Sequence, residues 1–169
     1  MGQLYIAMSP GNIFIYQQFG AAIEMLENAI QACPDELWKQ EENFSKIAGH
    51  TSFFLHYYLS DNTPENAAST SPPPLSDPDP ADASPELRPG KEQLLKDLHQ
   101  GRQKLRNQLS KYTPDQLLTK RFISQFKDLS LFELLLYNMR HVQHHTAQLN
   151  MLLRQNSVVP PKWVSKTEV

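Results

Sequence analysis

Apolar residues recur at steps of three and four along four separate segments of this chain, a spacing that is typical of amphipathic helices. The first segment begins at Ser9-Pro10, where a helix N-cap is followed by a proline at the first helical position, and Pro34 ends it. No stretch alternates apolar and polar residues for long enough to predict a strand, so an all-α fold is expected. The apolar stripe of the first helix consists of Phe19, Ile23, Leu26, Ile30 and Cys33.

The other three helices carry similar signals. The second is predicted from about Asn43 to Ser60, and a histidine, His50, falls on its apolar face. The third is predicted over Lys91–Lys111, and the fourth begins at the capping box Ser130–Glu133 and runs to about Gln155. Their apolar faces comprise Ile47, Phe54 and Tyr58 in the second helix, Leu94, Leu98, Leu105 and Leu109 in the third, and Leu134, Asn138, Val142, Leu149 and Leu152 in the fourth.

The connection between the second and third helices, about residues 61–89, is rich in proline. The stretch Ser71-Pro72-Pro73-Pro74 excludes a helix there, and we interpret the segment as a long surface connection. A short loop would force the flanking helices to be antiparallel, whereas nearly thirty residues permit a crossover along the bundle. A further capping box, Thr113–Gln116, predicts a short helical turn after the third helix. Residues 1–169 are expected to form one domain.

Composition and charge argue against several classes of function. With 40% hydrophobic and 20% charged residues and a net charge of −2, the chain gives no reason to expect nucleic-acid or membrane-surface binding. Cys33 is the only cysteine, which excludes an internal disulfide or a thiolate cluster. The first residues lack the pattern of a signal peptide, and no stretch approaches the roughly 18 apolar residues of a membrane span. We therefore expect a soluble, cytoplasmic protein.

Helix geometry separates the six histidines of the chain into groups. His141 and His145 lie only about 40° apart around the fourth helix and about one turn along it, so both can aim at one point. His50 faces the core from the second helix and supplies a third imidazole. His144 is rotated by about 60° from His141 toward the polar side, so we place it outside this trio, at the mouth of a pocket at most.

Three imidazoles suit one divalent transition metal ion, with Zn²⁺ or Ni²⁺ preferred and Fe²⁺, Co²⁺ or Mn²⁺ as alternatives. A three-histidine set leaves coordination positions open for water or substrate, which is typical of catalytic metals. The alternative is that each histidine is simply hydrogen-bonded within the core, and the residues alone leave both interpretations open. His56 is expected to face solvent or an interface, and His99 the surface.

Several catalytic motifs are absent from the sequence. Val142 follows His141, so the His-Glu-x-x-His motif of zinc proteases is missing, and so are the Glu-x-x-His pairs of di-iron bundles and a glycine-rich phosphate loop. We interpret Cys33 as a core residue at a helix end rather than a nucleophile. Catalytic residues therefore stay unassigned, and no cofactor other than the metal is predicted.

Two blocks of the sequence resemble the DinB-like proteins. Residues Ile47–Ser60 (IAGHTSFFLHYYLS) resemble the second helix of that family, and Leu135–Asn150 (LLYNMRHVQHHTAQLN), the more specific block, resemble its fourth helix. The resemblance implies a four-helix bundle of up-down-down-up order with a metal site carried by His50, His141 and His145. The wider superfamily includes YfiT-like hydrolases, bacillithiol transferases and mycothiol-dependent isomerases, and homodimers are common in it. The proline-rich connection departs from the family pattern, so no substrate contact there is carried over.

The resemblance implies a metal-dependent thiol S-transferase or hydrolase acting on a small molecule or a low-molecular-weight thiol, and a homodimer. Asn138 and Gln148 lie near His141 on the helix and could orient a ligand or a histidine, but we favour plain interhelical hydrogen bonds for both. Tyr57 and Tyr58 could donate protons, although helix aromatics more often pack in a core. One alternative is a non-enzymatic bundle, stabilised by metal, that acts in a stress response or an interaction. A degenerate site without metal is the other.

Overall fold

The computed structural model describes residues 8–40, 42–60, 89–123 and 127–169. It confirms the all-α bundle, because four long helices pack side by side and the described strands form only one small hairpin. The predicted first to fourth helices correspond to α1, α3, α4 and α6. In chain order the elements are α1 (Pro10–Ala32), α2 (Asp35–Gln40), α3 (Glu42–Tyr58), α4 (Lys91–Lys111), α5 (Pro114–Thr119), β1 (Arg121–Ile123), β2 (Asp128–Ser130) and α6 (Leu131–Gln155).

Three helices, α1, α5 and α6, begin where the capping signals predict. The Ser9 side chain accepts a hydrogen bond from the backbone N–H of Asn12 at the start of α1. Thr113 and Ser130 each form a complete capping box, the first with Gln116 and the second with Glu133. These boxes satisfy N–H groups that a helix start leaves without a partner, so each helix is fixed by its own sequence.

Contacts between α1 and α4 show that these two helices are antiparallel. Asn12, near the start of α1, donates through Nδ2 to the backbone carbonyls of Leu109 and Tyr112 at the end of α4, at 2.7 and 2.8 Å. At the other end, Lys91 Nζ at the start of α4 donates to the carbonyl of Cys33 after α1, at 2.6 Å.

Helix α3 runs parallel to α4 and antiparallel to α6. The His56 ring lies 2.8 Å from the carbonyl oxygen of Asp97, and further along both helices Gln108 donates to the carbonyl of Leu59 at 3.3 Å. Against α6, the early α3 residue His50 contacts the later α6 residues, whereas Tyr58 at the end of α3 contacts the earlier ones. The order is therefore up-down-down-up. The connection that permits it, residues 61–88, lies outside the described residues, whereas Pro89 is described.

The predicted apolar stripes form the core. All five stripe residues of α1 and the four predicted stripe leucines of α4 are at most 1% exposed. In α3, Ile47, His50, Phe54 and Tyr58 are all buried. In α6 the prediction is wrong at one position, because Leu153 is fully buried while Leu152 is only partly buried. Because the helix has 3.6 residues per turn, the buried face near the end of this long helix passes through Leu153 rather than Leu152.

Three features lie beyond the sequence prediction. The short helix α2 follows Pro34, and β1 pairs with β2 in an antiparallel hairpin whose central pair is Phe122 and Leu129. Three-residue strands are too short to show an alternating pattern. The third feature is the segment after α6, which returns along α1. There Thr167 donates through its backbone N–H to the carbonyl of Gln17 at 3.1 Å.

A glycine in α1 makes room for this C-terminal segment. A Cβ atom on Gly20 would lie 2.3 Å from Cγ2 of Thr167, so the close approach of the Thr167 side chain to the α1 backbone needs glycine there. Thr167 is 5% exposed, and its hydroxyl donates to a carboxylate oxygen of Glu24 at 2.9 Å. None of the described helices has the length and hydropathy needed to cross a membrane.

Candidate metal centre

The three predicted histidines come together at the middle of the α3–α6 contact. His141 Nε2 lies 3.2 Å from Nε2 of His50 and 3.1 Å from Nε2 of His145. His50 and His145 are 8% and 7% exposed, and His141 is partly buried. The core-facing position of His50 and the one-turn spacing of the other two therefore bring together three nitrogens from two helices.

The distances between these nitrogens match those of ligands on one ion. Two nitrogens that each lie about 2.0–2.1 Å from a metal, at angles between octahedral and tetrahedral, are about 2.8–3.4 Å apart. Both Nε2–Nε2 distances of His141 fall in that range, and one ligand atom from each histidine lies within 4.8 Å of the others. The three histidines are therefore positioned to bind a metal ion.

A glutamine fixes the orientation of one of these imidazoles. The Nδ1–H of His145 donates to Oε1 of Gln148 at 2.7 Å, one turn further along α6. With the proton on Nδ1, Nε2 presents its lone pair to the shared point, which is the tautomer a metal ligand needs. The prediction that Gln148 forms a plain interhelical hydrogen bond is therefore wrong. It is confirmed for Asn138, whose Nδ2 donates to the carbonyl of Leu55 on α3 at 3.2 Å.

An aromatic ring closes one side of the site. The centroid of Phe54, which is 2% exposed, lies 4.8 Å from the His50 ring and 5.5 Å from the His141 ring. Sequence reasoning placed Phe54 on the core face but did not place it against the imidazoles. The ring excludes water from that side of the site and limits the positions that the two histidine rings can take.

Tyr57 and Tyr58 belong to an aromatic cluster beside the site. Tyr58 is 3% exposed and packs edge-to-face on Tyr137 and Phe122, and Tyr57, which is partly buried, also packs on Phe122. This cluster joins the hairpin to α3 and α6. The prediction of core packing is confirmed for Tyr58, whereas Tyr57 packs at the edge of the core.

A surface depression lies beside the site. Its volume is about 530 Å³, and one of the histidines, His141, forms part of its wall. His144 is exposed, packs against the ring of His145 and lines the same depression, so its position outside the trio and at the mouth is confirmed. The described residues that line it are Tyr137, Arg140, His141, Gln143, His144 and Ala147.

The remaining histidines and the cysteine lie elsewhere. His56 contacts α4 through the Asp97 carbonyl, so it is interfacial, and burial lowers its pKa below the usual value. His99 is exposed, as predicted. Cys33 is 1% exposed, and burial raises the pKa of its thiol to about 11. A thiol with that pKa is protonated near neutrality, which confirms Cys33 as a core residue.

The donor set found among the described residues is neutral. Within the part of the chain that the structure describes, His50, His141 and His145 are the one group of three or more His, Cys, Asp or Glu side chains close enough to share an ion. No carboxylate or thiolate of a described residue belongs to it. Three neutral imidazoles would leave the full charge of a divalent ion to act on whatever molecule occupies the open position.

Comparison with known families agrees with this geometry. Residues 18–149 match the profile of the DinB superfamily, a stretch that contains α3, α4 and all three histidines. The chain belongs to the DinB superfamily. The family predicted from the α3 and α6 blocks is thereby confirmed, and a three-histidine metal site is in keeping with membership. No individually curated protein matches this DinB-superfamily chain.

Proposed function

We propose that this DinB-superfamily protein is a metal-dependent enzyme of the thiol S-transferase or hydrolase type, with one divalent transition metal ion held by His50, His141 and His145. The observation that carries the proposal is the convergence of three Nε2 atoms beside a surface depression whose wall includes His141. A structural ion is usually enclosed by four protein ligands, whereas three ligands beside an opening are typical of a catalytic ion.

Different side chains around the site orient its ligands and exclude water from it. A bound divalent ion supplies one chemical property, which is to lower the pKa of a water or thiol ligand toward neutrality. Gln148 holds the tautomer of His145, and Phe54 keeps water from the closed side. Imidazole nitrogens suit Zn²⁺ or Ni²⁺, and Fe²⁺, Co²⁺ and Mn²⁺ are the other candidates.

Metal content tests the site directly. We expect untagged wild-type protein to bind one equivalent of metal and His145→Ala to lose it, because two imidazoles on different helices hold an ion much less tightly. Elemental analysis measures the content, and circular dichroism checks that the variant is still helical. His99→Ala, at an exposed histidine, is the matched control and should keep its metal. A full equivalent of metal in folded His145→Ala contradicts the assignment.

Activity is tested with a panel of thiol-transfer and hydrolysis substrates. We expect turnover that is lost on chelation, returns when Zn²⁺ or Ni²⁺ is added, and is absent from His145→Ala at any metal concentration that wild type requires. A protein that holds its metal and turns over no member of either class favours the second candidate.

The second candidate is a non-enzymatic bundle that the metal stabilises and that acts in a stress response or an interaction. The observation in its favour is that the ligands come from two helices, α3 and α6, so an ion would cross-link them. Chelation should then cause a large loss of thermal stability without loss of any reaction. An exchangeable ligand on the ion, detected by spectroscopy with added thiols, favours the enzyme. The thiol substrate, the homodimer and the cytoplasmic location stay predictions.

A further inference from the structure

The described residues that line the depression beside the histidines carry positive charge and no negative charge. They include one permanent cation, Arg140, and no carboxylate. Arg140 directly precedes His141, and it lies one helical turn before His144, so the guanidinium and this imidazole share a face of α6. An ion held by neutral ligands would add two further positive charges at the inner end of the same space.

The acidic groups nearest in sequence have other partners. Asp128 binds Arg121 at 2.7 Å, and the Glu133 carboxylate accepts from the backbone and hydroxyl of Ser130, which lowers its pKa. Glu133 is the only acidic residue in α6. A second cation, Lys127, lies with its Nζ 4.9 Å from the ring of Tyr137, which also lines the depression.

Arg140 itself is available to a ligand. Two other arginines are bound in ion pairs, Arg102 to Glu27 and Arg121 to Asp128. Arg140 is exposed and makes no hydrogen bond or ion pair with the described residues. A planar guanidinium with five N–H donors binds a carboxylate in a two-bond geometry, and a nearby divalent ion strengthens the attraction for an anion.

We propose that Arg140 is the specificity-determining residue of this site and that the depression selects small substrates or thiols that carry a carboxylate. This inference rests on the proposed metal site, because the reactive end of the molecule would lie at the open position of the ion. The carboxylate end would lie at Arg140, near the mouth. The volume of about 530 Å³ is enough for a small molecule and too small for a folded partner.

The test uses the full chain loaded with Co²⁺, whose visible spectrum reports its ligands. Mercaptobutanoate and its neutral amide are titrated separately, and the thiolate-to-cobalt band gives a Kd for each. We expect wild type to bind the carboxylate thiol about fivefold to tenfold more tightly at low ionic strength. Arg140→Gln should remove that preference while binding cobalt normally. Arg154→Gln, on the same helix and about 20 Å away, is the matched control and should keep it.

Each other outcome is decisive. Equal Kd values for the two thiols in wild type, or a preference that persists in Arg140→Gln, overturn the role of Arg140 and leave the metal site intact. Cobalt binding without a thiolate band in wild type also overturns this inference. Failure of the wild-type chain to bind cobalt removes the proposed function, and this inference with it. The cobalt spectrum recorded before any thiol is added therefore separates the two failures.

Discussion

The α1–α4 contact and the α3–α6 contact belong to one bundle but are built from different side chains. In the first contact, α4 faces the core with four leucines, none more than 1% exposed, which we call the leucine seam (Leu94, Leu98, Leu105 and Leu109). Three imidazoles lie in the second, which we call the histidine seam (His50, His141 and His145). Both pack the same core, yet burial alone explains only the leucines. Three imidazoles that converge on one point instead match the donor set of a metal ion.

The largest expected effect comes from a substitution within the leucine seam. Leu98→Ala should lower the free energy of unfolding by about 2–5 kcal/mol, because it removes a fully buried side chain and leaves a cavity. Urea unfolding followed by circular dichroism, in the presence of a chelator, measures the loss. His145→Ala under the same conditions should lose much less, and an equal loss would mean that the imidazole is an ordinary core residue.

Added metal should act on the histidine seam alone. At a free Zn²⁺ concentration about 100 times the Kd, the free energy of unfolding should rise by about 2.7 kcal/mol, because the ion binds the folded state and not the unfolded chain. Leu98→Ala should gain the same amount from a lower starting value. His50→Ala should gain almost nothing. A similar gain in His50→Ala would place the ion elsewhere.

The smallest expected effect concerns the ion pair between Glu27 of α1 and Arg102 of α4, the helix that carries the leucine seam. Glu27 binds Arg102 across α1 and α4, yet burial raises its pKa above the usual 4.5, which outweighs the opposing effect of Arg102. A raised pKa in the folded state means that Glu27 favours folding most when protonated. Its contribution should therefore fall as the pH rises from below 4.5 through the folded pKa.

Glu27→Gln isolates that contribution. Unfolding free energies of wild type and variant, measured from acidic pH to neutrality in a chelator, should show the wild type losing stability relative to Glu27→Gln as the pH rises. A relative gain for the wild type over this range would show that the ion pair with Arg102 outweighs burial.

Much of this fold follows from local sequence. Helix starts are set by groups within four residues, so the capping boxes at Thr113 and Ser130 predict α5 and α6 correctly. Buried positions recur with the 3.6-residue period of the helix, and that period is enough to place His141 and His145 on one side of α6. His50 joins them because it interrupts an apolar face, and a histidine there needs a partner.

The remaining features depend on contacts between distant residues. Asn138 and Gln148 look alike in sequence, and only the packed helices show that one binds a backbone carbonyl and the other orients His145. The hairpin strands are too short for a pattern. The contact between Thr167 and Gly20 joins residues 147 positions apart, so no local sequence signal predicts it.

The separation of His50 and His141 by 91 positions has a consequence for how long the folded chain persists. A shared ion would close a loop of that length, and a cross-link of this size removes unfolded-state entropy equivalent to about 4.6 kcal/mol in the chain-entropy model. The chain has a single cysteine and cannot form an internal disulfide. A metal cross-link differs from a disulfide because it forms and dissociates with the supply of free ion. The lifetime of the folded protein against proteolysis should therefore lengthen in metal-rich surroundings and shorten in metal-poor ones.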